Sequence, residues 1–278
     1  MNVPKIPIGS WIESLEAWLE MNAGPLFDGI KLLIGATVNG LAEAFNFFPP
    51  MLMIAIFTII AFLVGRVRIA AFTLLGLLLV HNLGYWANTM ETLALVLTAS
   101  FISIVFGVPL GILCARSSKI QKVVTPVLDF MQTMPAFVYL LPAVAFFSLG
   151  VVPGVIASVI FAIPPTIRLT NLGIRQVPGD LVEAADAFGS TPMQKLFKLQ
   201  LPIAAPTIMA GVNQTIMLSL SMVVIASMIG AQGVGADVYR AVTQAKTGVG
   251  FEAGLAVVVL AIILDRMTQN LIKKKQKG

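Results

Sequence analysis

The chain alternates between long apolar runs and short polar segments. The apolar runs lie near residues 49–64, 69–86, 91–115, 123–148, 152–172, 204–230 and 250–272. A helix needs about 20 apolar residues to cross a hydrocarbon core of about 30 Å, so the first two runs are only just long enough. Backbone groups in lipid must be paired within helices or closed barrels, and these runs lack the short alternation of barrel strands. The pattern predicts an all-α membrane protein with about seven transmembrane helices.

Residues 1–48 carry a different, amphipathic pattern. At 100° per residue, one face holds Trp11, Ile12, Leu15, Trp18 and Leu19, and the opposite face holds Glu13, Glu16 and Glu20. Ser10, with Glu13 three residues later, predicts a capping box at the start of this helix. Residues 26–47 predict a second surface helix, because Lys31 and Glu43 leave too short an apolar stretch to span. These helices are expected either in the external membrane interface, with tryptophan anchors, or on the protein's own surface.

A polar island, EAADAFGSTPMQKLFKLQLP, occupies residues 183–202 between the fifth and sixth runs. Its local signals predict a helix, a turn and a second helix. Asp180 is expected to cap the first helix and Gly189 to end it, since glycine accepts positive φ. Thr191 is expected as the next N-cap with Pro192 at the first helical position. Pro202 is expected to end the second helix before the sixth run.

Composition and charge place this island relative to the membrane. Hydrophobic residues make up 58% of the chain and charged residues only 11%, against roughly 25% charged in soluble domains. One set of loops holds 13 basic residues, and the alternate loops with the N-terminal region hold 4. Because cytoplasmic loops are enriched in lysine and arginine, the N-terminus is predicted outside and the C-terminus inside. The loop of residues 173–203 is then cytoplasmic.

The island resembles the EAA loop of ABC-importer permeases, the surface on which a cytoplasmic ATPase docks. Leu199 stands where isoleucine is usual, a conservative apolar change. From about residue 50 to 272 the chain is similar to permeases of glycine betaine/proline betaine importers, notably in residues 134–150, 163–178, 213–231 and 252–266. For this loop, residues 180–203, the resemblance implies an ATPase-docking role for Glu183, Ala184, Ala185, Gly189, Leu199, Leu201 and Pro202.

The resemblance also implies a type I ABC importer transmembrane fold in a bacterial cytoplasmic membrane. Residues 1–48 would be an external helical scaffold, 49–88 two additional spans, 89–272 the transporter domain and 273–278 a basic cytoplasmic tail. Expected partners are a cytoplasmic ATPase, an external substrate-binding protein, membrane lipid and a second permease copy, with no nucleic acid. Importers of choline or carnitine could share this scaffold.

The chain contains no G-x-x-x-x-G-K-[ST] phosphate loop, so ATP and Mg²⁺ are expected at the partner ATPase, with no catalytic residue and no bound cofactor here. A lone Cys114 and a lone His81 predict no metal site. A self-sufficient secondary carrier is the alternative class. It is disfavoured because the ionisable residues cluster at the ends of the spans.

Candidate pathway residues are Phe137, Tyr139, Phe146 and Phe147, whose rings could hold a quaternary ammonium group by cation–π contact. Core or lipid-facing packing is the alternative for each ring. Asp129 and Arg168 could pair as part of an inner gate, because intramembrane charge is rare and often functional. Snorkelling of Arg168 to the interface is the alternative.

Overall fold

The structure, a computed structural model, describes residues 7–275, with side chains through residue 271. Every regular element in this part of the chain is helical, which confirms the all-α prediction. The helices are α1 Ile8–Phe47, α2 Pro50–Asn82, α3 Trp86–Arg116, α4 Ser118–Thr133, α5 Leu140–Phe147, α6 Val151–Arg175, α7 Gly179–Ala187, α8 Pro192–Lys195, α9 Leu201–Ser221, α10 Val223–Ser227, α11 Val234–Thr243 and α12 Thr247–Lys275. A 3₁₀ turn (Ala136–Tyr139) precedes α5, and a π-helical turn (Leu196–Gln200) joins α8 to α9.

The N-terminal region forms one helix of 40 residues where the sequence predicts two. The capping-box prediction at Ser10 is wrong, because the helix begins at Ile8 and the Ser10 hydroxyl donates to the Pro7 carbonyl at 2.9 Å. Trp11 and Trp18 are both more than half exposed. The apolar face of this first part of α1 is therefore uncovered by the rest of the chain, as an interfacial helix requires.

Both ends of α2 lie at the same end of the molecule. Asn46, just before α2, and Glu91, just after it, line one cavity. The Tyr85 hydroxyl, also just after α2, donates to the Val249 carbonyl at the start of α12, at 3.4 Å. This end of the bundle therefore holds the start of α12 as well.

The middle of α2 lies at the opposite end. Arg66 has φ 61° and ψ −164°, which breaks the helix, and it lines a cavity with Asn270 near the end of α12. Helix α2 is thus a helical hairpin that reverses direction at Arg66. At 1.5 Å per residue, each of its two limbs is about 24 Å long. Each limb is shorter than the hydrocarbon core of about 30 Å.

Within the part of the chain that the structure describes, five helices are long and apolar enough to cross a membrane: α2, α3, α6, the continuous helix Pro192–Ser227 and α12. Residues 118–147 make a sixth span if its bent halves are taken together. Counting the two limbs of the α2 hairpin as separate spans gives a seventh. The structure then agrees with the seven apolar runs of the sequence.

The fourth predicted span, 123–148, is not one straight helix. Its halves meet at 107° around Met134 and Pro135. Met134 has ψ 138°, because the ring of a following proline disfavours the α region. The sequence prediction of a single span is corrected to a broken one.

Helices α3, α6 and α9 form the tightly packed centre. Gly111 on α3 faces α6 so closely that a Cβ there would lie 2.7 Å from the Ile167 carbonyl oxygen. Gly211 on α9 similarly approaches the Pro165 carbonyl of α6, at 3.1 Å. Small residues at such contacts let helix backbones approach in lipid, where van der Waals packing replaces the hydrophobic effect. This centre supports the polar loop between α6 and α9.

Candidate functional site: the loop between α6 and α9

The first helix of the loop, α7, ends as the sequence predicts. Gly189 has φ 73°, its N–H donates to the Asp186 carbonyl at 2.9 Å, and the Ser190 N–H donates to the Ala185 carbonyl at 3.0 Å. These two bonds are a Schellman motif. The start differs from the prediction, because α7 begins at Gly179 and Asp180 lies inside its first turn rather than at the cap.

The second helix of the loop is capped by Thr191, which confirms that prediction. The Thr191 hydroxyl accepts from the Gln194 N–H at 3.3 Å, and the Gln194 side chain accepts from the Thr191 N–H at 2.9 Å. The Lys195 ammonium lies 2.6 Å from an Asp186 carboxylate oxygen on α7. The turn between α7 and α8 is thus stabilised by the Schellman motif at the end of α7, by the capping box at the start of α8, and by the Lys195–Asp186 ion pair between them.

Pro202 does not end a helix, so that prediction is wrong. The chain stays helical from Pro192 to Ser227. Just before Pro202, residues 196–200 form a π-helical turn in which the Leu201 N–H donates to the Leu196 carbonyl, five residues back. A proline in an α-helix clashes with the carbonyl four residues earlier, and the wider turn relieves that clash. The loop therefore continues directly into α9.

The inner side of the loop is anchored to the bundle. Leu196 is buried and packs in a cluster with Ile174 and Ala204. The Arg116 guanidinium at the end of α3 donates to the Pro192 carbonyl at 3.0 Å. The loop is consequently fixed to α3, α6 and α9 at once.

The outer side of the loop carries most of the predicted docking residues. Glu183, Ala184, Gly189 and Pro202 are exposed, and Ala185, Leu199 and Leu201 are partly buried. Sequence reasoning missed the most exposed apolar side chain of this surface, Phe188, at 90% exposure. Met193 and Phe197 are also more than half exposed. Large apolar residues within a polar island were the signal that could have identified them.

The four candidate pathway aromatics do not form one aromatic cage within the chain. Phe146 stacks on Phe27 of α1 with ring centroids 4.5 Å apart, and Phe147 meets the same ring edge-on at 5.7 Å. Tyr139 is buried, with its hydroxyl donating to the Met131 carbonyl at 2.6 Å. Only Phe137 is well exposed.

Asp129 and Arg168 do pair, as the sequence suggested. An Arg168 guanidinium nitrogen lies 2.6 Å from an Asp129 carboxylate oxygen, which joins α4 to α6. Both side chains are partly accessible, so the free energy of this ion pair in water would be at most about 1 kcal/mol. The ion pair connects the first half of the broken span, α4, to α6 in the central group of helices.

Residues 107–277 match the family of binding-protein-dependent transport system inner membrane components, and the chain belongs to that family. It is therefore a multi-pass transport subunit and not an enzyme. A solved structure, the inward-facing methionine ABC transporter MetNI, superposes with a TM-score of 0.62 at 22% identity, over 66% of this chain and 92% of the other. This similarity confirms the type I ABC importer fold.

Curated relatives are similar along nearly the whole chain. The glycine betaine transport system permease protein OpuAB of Bacillus subtilis is 57% identical over 277 residues, covering 99% of this chain and 98% of the relative. The glycine betaine/carnitine permease GbuB of Listeria monocytogenes is 56% identical, covering 98% of both. The glycine betaine/proline betaine permease ProW of Escherichia coli is 49% identical over 95% of this chain and 75% of its own length. The recognised resemblance to this permease family is confirmed.

Proposed function

We propose that this chain forms the translocation pathway of an ATP-driven importer of glycine betaine or a related compatible solute. The observation that carries the proposal is 57% identity to a glycine betaine permease along 99% of the chain. Choline or carnitine is the second candidate substrate, since the 56% identical GbuB is named for carnitine as well, and more distant relatives named for carnitine and for choline are 29% and 28% identical.

The loop of residues 180–203 is the proposed site of energy input. Its exposed face offers Phe188, Met193 and Phe197 beside the Glu183–Ala185 helix, a mixture suited to a protein partner. Its inner face is tied to α3 through Arg116 and continues into α9 without a helix break. A displacement of the docked ATPase would therefore move α9 and its neighbours together, which alternating access requires.

Sidedness and partners follow from that role. The excess of basic residues in these loops supports a cytoplasmic docking surface, with ATP and Mg²⁺ held by the partner ATPase. The opposite side would receive the external substrate-binding protein. Two copies of this chain would complete one pathway, and the exposed ring of Phe137 is the candidate aromatic contact for a quaternary ammonium group there.

The Asp129–Arg168 pair is proposed as an inner-gate contact, because it links the broken span to α6. Replacing Asp129 by asparagine should alter the rate of uptake while leaving the expression level unchanged. Equal uptake by the variant at equal expression would remove the gate role.

The docking role is tested by reversing one charge. In Glu183→Lys, co-purification with the ATPase and ATP-dependent uptake of labelled glycine betaine into proteoliposomes should fall together. Glu20→Lys, the same change at an exposed position of α1, is the matched control and should retain both. Normal ATPase association by Glu183→Lys would contradict docking at this surface.

Two further measurements separate the alternatives. Uptake of glycine betaine without any ATPase would identify a self-sufficient carrier and overturn the importer proposal. Competition of labelled betaine uptake by choline and by carnitine, each with the cognate binding protein present, decides the substrate class.

A further inference from the structure

A large cavity, about 880 Å³, opens where the tip of the α2 hairpin meets the far end of α12. Its wall includes three arginines: Arg66 and Arg68 at the tip, and Arg266 on α12. None of the functions proposed above uses this cavity. It is not part of the loop between α6 and α9.

The positive charge of the cavity is largely uncompensated. Among the side chains described, residues 7–271, no carboxylate forms an ion pair with Arg66 or Arg68. Arg266 has one acidic neighbour, an Asp265 oxygen at the long distance of 3.9 Å. The other Asp265 oxygen already accepts from the amides of Asn213 and Gln269. All three arginines are exposed, so their guanidinium groups are available to a ligand.

Apart from the arginines and Asn270, the side chains of the wall are apolar. Val67 is 68% exposed and Phe72 is 37% exposed, and Ile262 lines the α12 side. A small hydrophilic anion would leave these side chains in contact with water. A ligand that carries both an anionic group and a hydrocarbon chain would satisfy both parts of the wall.

We propose that this cavity binds the headgroup of an anionic phospholipid, with the acyl chains against Val67, Phe72 and Ile262. Guanidinium groups match phosphate oxygens in bidentate geometry. Basic pockets between transmembrane helices at the membrane surface are suited to such headgroups. The lysines near the C-terminus, at positions 273–275 and 277, have the same charge sign, which disfavours that segment as the occupant.

The backbone of Arg66 supplies a variant that distinguishes ligand loss from misfolding. At φ 61° and ψ −164°, arginine occupies a conformation that glycine adopts more readily. Arg66→Gly therefore removes a charge from the cavity while relieving strain at the hairpin tip. If arginine is present for the ligand, this variant should bind less lipid and unfold at the same or a higher temperature.

The test uses the full-length permease, purified with its partner ATPase and titrated with phosphatidylglycerol or phosphatidylcholine under native mass spectrometry. Each arginine should contribute about fivefold in phosphatidylglycerol affinity, equal to about 1 kcal/mol. The pair Arg66→Gly/Arg68→Gln should lose on the order of 25-fold, and Arg266→Gln about fivefold more. The matched control, Lys119→Gln/Lys122→Gln, removes two exposed charges from α4 and should change the affinity less than about twofold.

Three results would overturn the proposal. One is equal phosphatidylglycerol affinity in the arginine variants and the wild type. Another is equal affinity of the wild type for phosphatidylcholine. The third is displacement of the lipid by inorganic phosphate at equal concentration, which would make the cavity a site for a free anion. If an arginine variant loses lipid binding but still binds the partner ATPase normally, the lipid site is independent of the proposed docking function.

Discussion

At the scale of single residues, Gly189 is the position where the proposed docking loop depends on one backbone conformation. Its φ is 73°, and a Cβ there would meet no atom within 4 Å. Gly189→Ala should therefore destabilise the loop by about 1 kcal/mol through backbone strain alone. The measurement is hydrogen exchange of the Ser190 amide, which should become about fivefold faster.

Gly179→Ala is the control for that change. Gly179, at the start of α7, also has open space around it, but its φ is not positive. Its replacement should leave the exchange rate of Ser190 unchanged. Equal effects of the two substitutions would show that the positive φ of Gly189 is not what holds the turn.

Residue-level signals succeeded where the bonds are local. The Gly189 and Thr191 predictions depended on contacts within five residues along the chain, and both were confirmed. The cap predictions at Ser10 and Asp180 failed because α1 and α7 start earlier, directly after Pro7 and Pro178. A proline side chain has no hydrogen-bond acceptor, so these helices begin without a side-chain cap.

At the scale of helices, the contact between α3 and α6 sets the geometry of the centre. A Cβ on Gly111 would lie 2.6 Å from the Thr170 Cβ and 2.7 Å from the Ile167 carbonyl. Gly111→Ala should force the helices apart and lower the free energy of unfolding by about 1–3 kcal/mol. Gly254→Ala, inside α12 with nothing within 4 Å, should instead be neutral or raise stability by about 0.5–1 kcal/mol. Unfolding of both variants in detergent measures the difference, and a loss of stability by both would contradict the packing argument.

The π-helical turn before Pro202 gives a prediction about coupling. Pro202→Ala allows the turn to return to α-helical bonding, which rotates the docking loop relative to α9. Uptake per ATP hydrolysed in proteoliposomes should fall. Pro206→Ala, four residues later in the same helix and after the turn, is the matched control. An unchanged ratio in Pro202→Ala would show that the turn has no part in transmission.

Helix-level prediction was accurate for position and weaker for shape. The predicted spans 152–172 and 250–272 lie within α6 and α12, because long apolar runs fix where a helix crosses lipid. Residues 123–148 were predicted as one span, although the residue before Pro135 is a probable helix boundary. The reversal at Arg66 was anticipated, because Arg66 and Arg68 interrupt the apolar run at a point where charge cannot remain in lipid.

At the scale of the whole molecule, long-range packing limits what the sequence reveals. Phe146 was predicted beside the pathway, yet it stacks on Phe27, a residue more than a hundred positions earlier. No periodicity within the fourth run encodes that contact. The turn of the proposed docking loop could be predicted from the sequence because Gly189 and Thr191 act through local bonds, whereas the anchoring of the loop to Arg116 required the fold.

The sidedness of the molecule is the last prediction, and the single native cysteine makes it accessible to experiment. Cys114 is only 2% exposed and can be replaced by serine to remove background labelling. In that protein, Lys246→Cys and Lys119→Cys place one thiol each at exposed positions on opposite sides of the predicted topology. An impermeant maleimide added to intact spheroplasts should label Lys246→Cys at once and Lys119→Cys only after permeabilisation. The reverse pattern would place the docking loop outside the cell, away from any ATP, and would contradict both the charge argument and the proposed coupling.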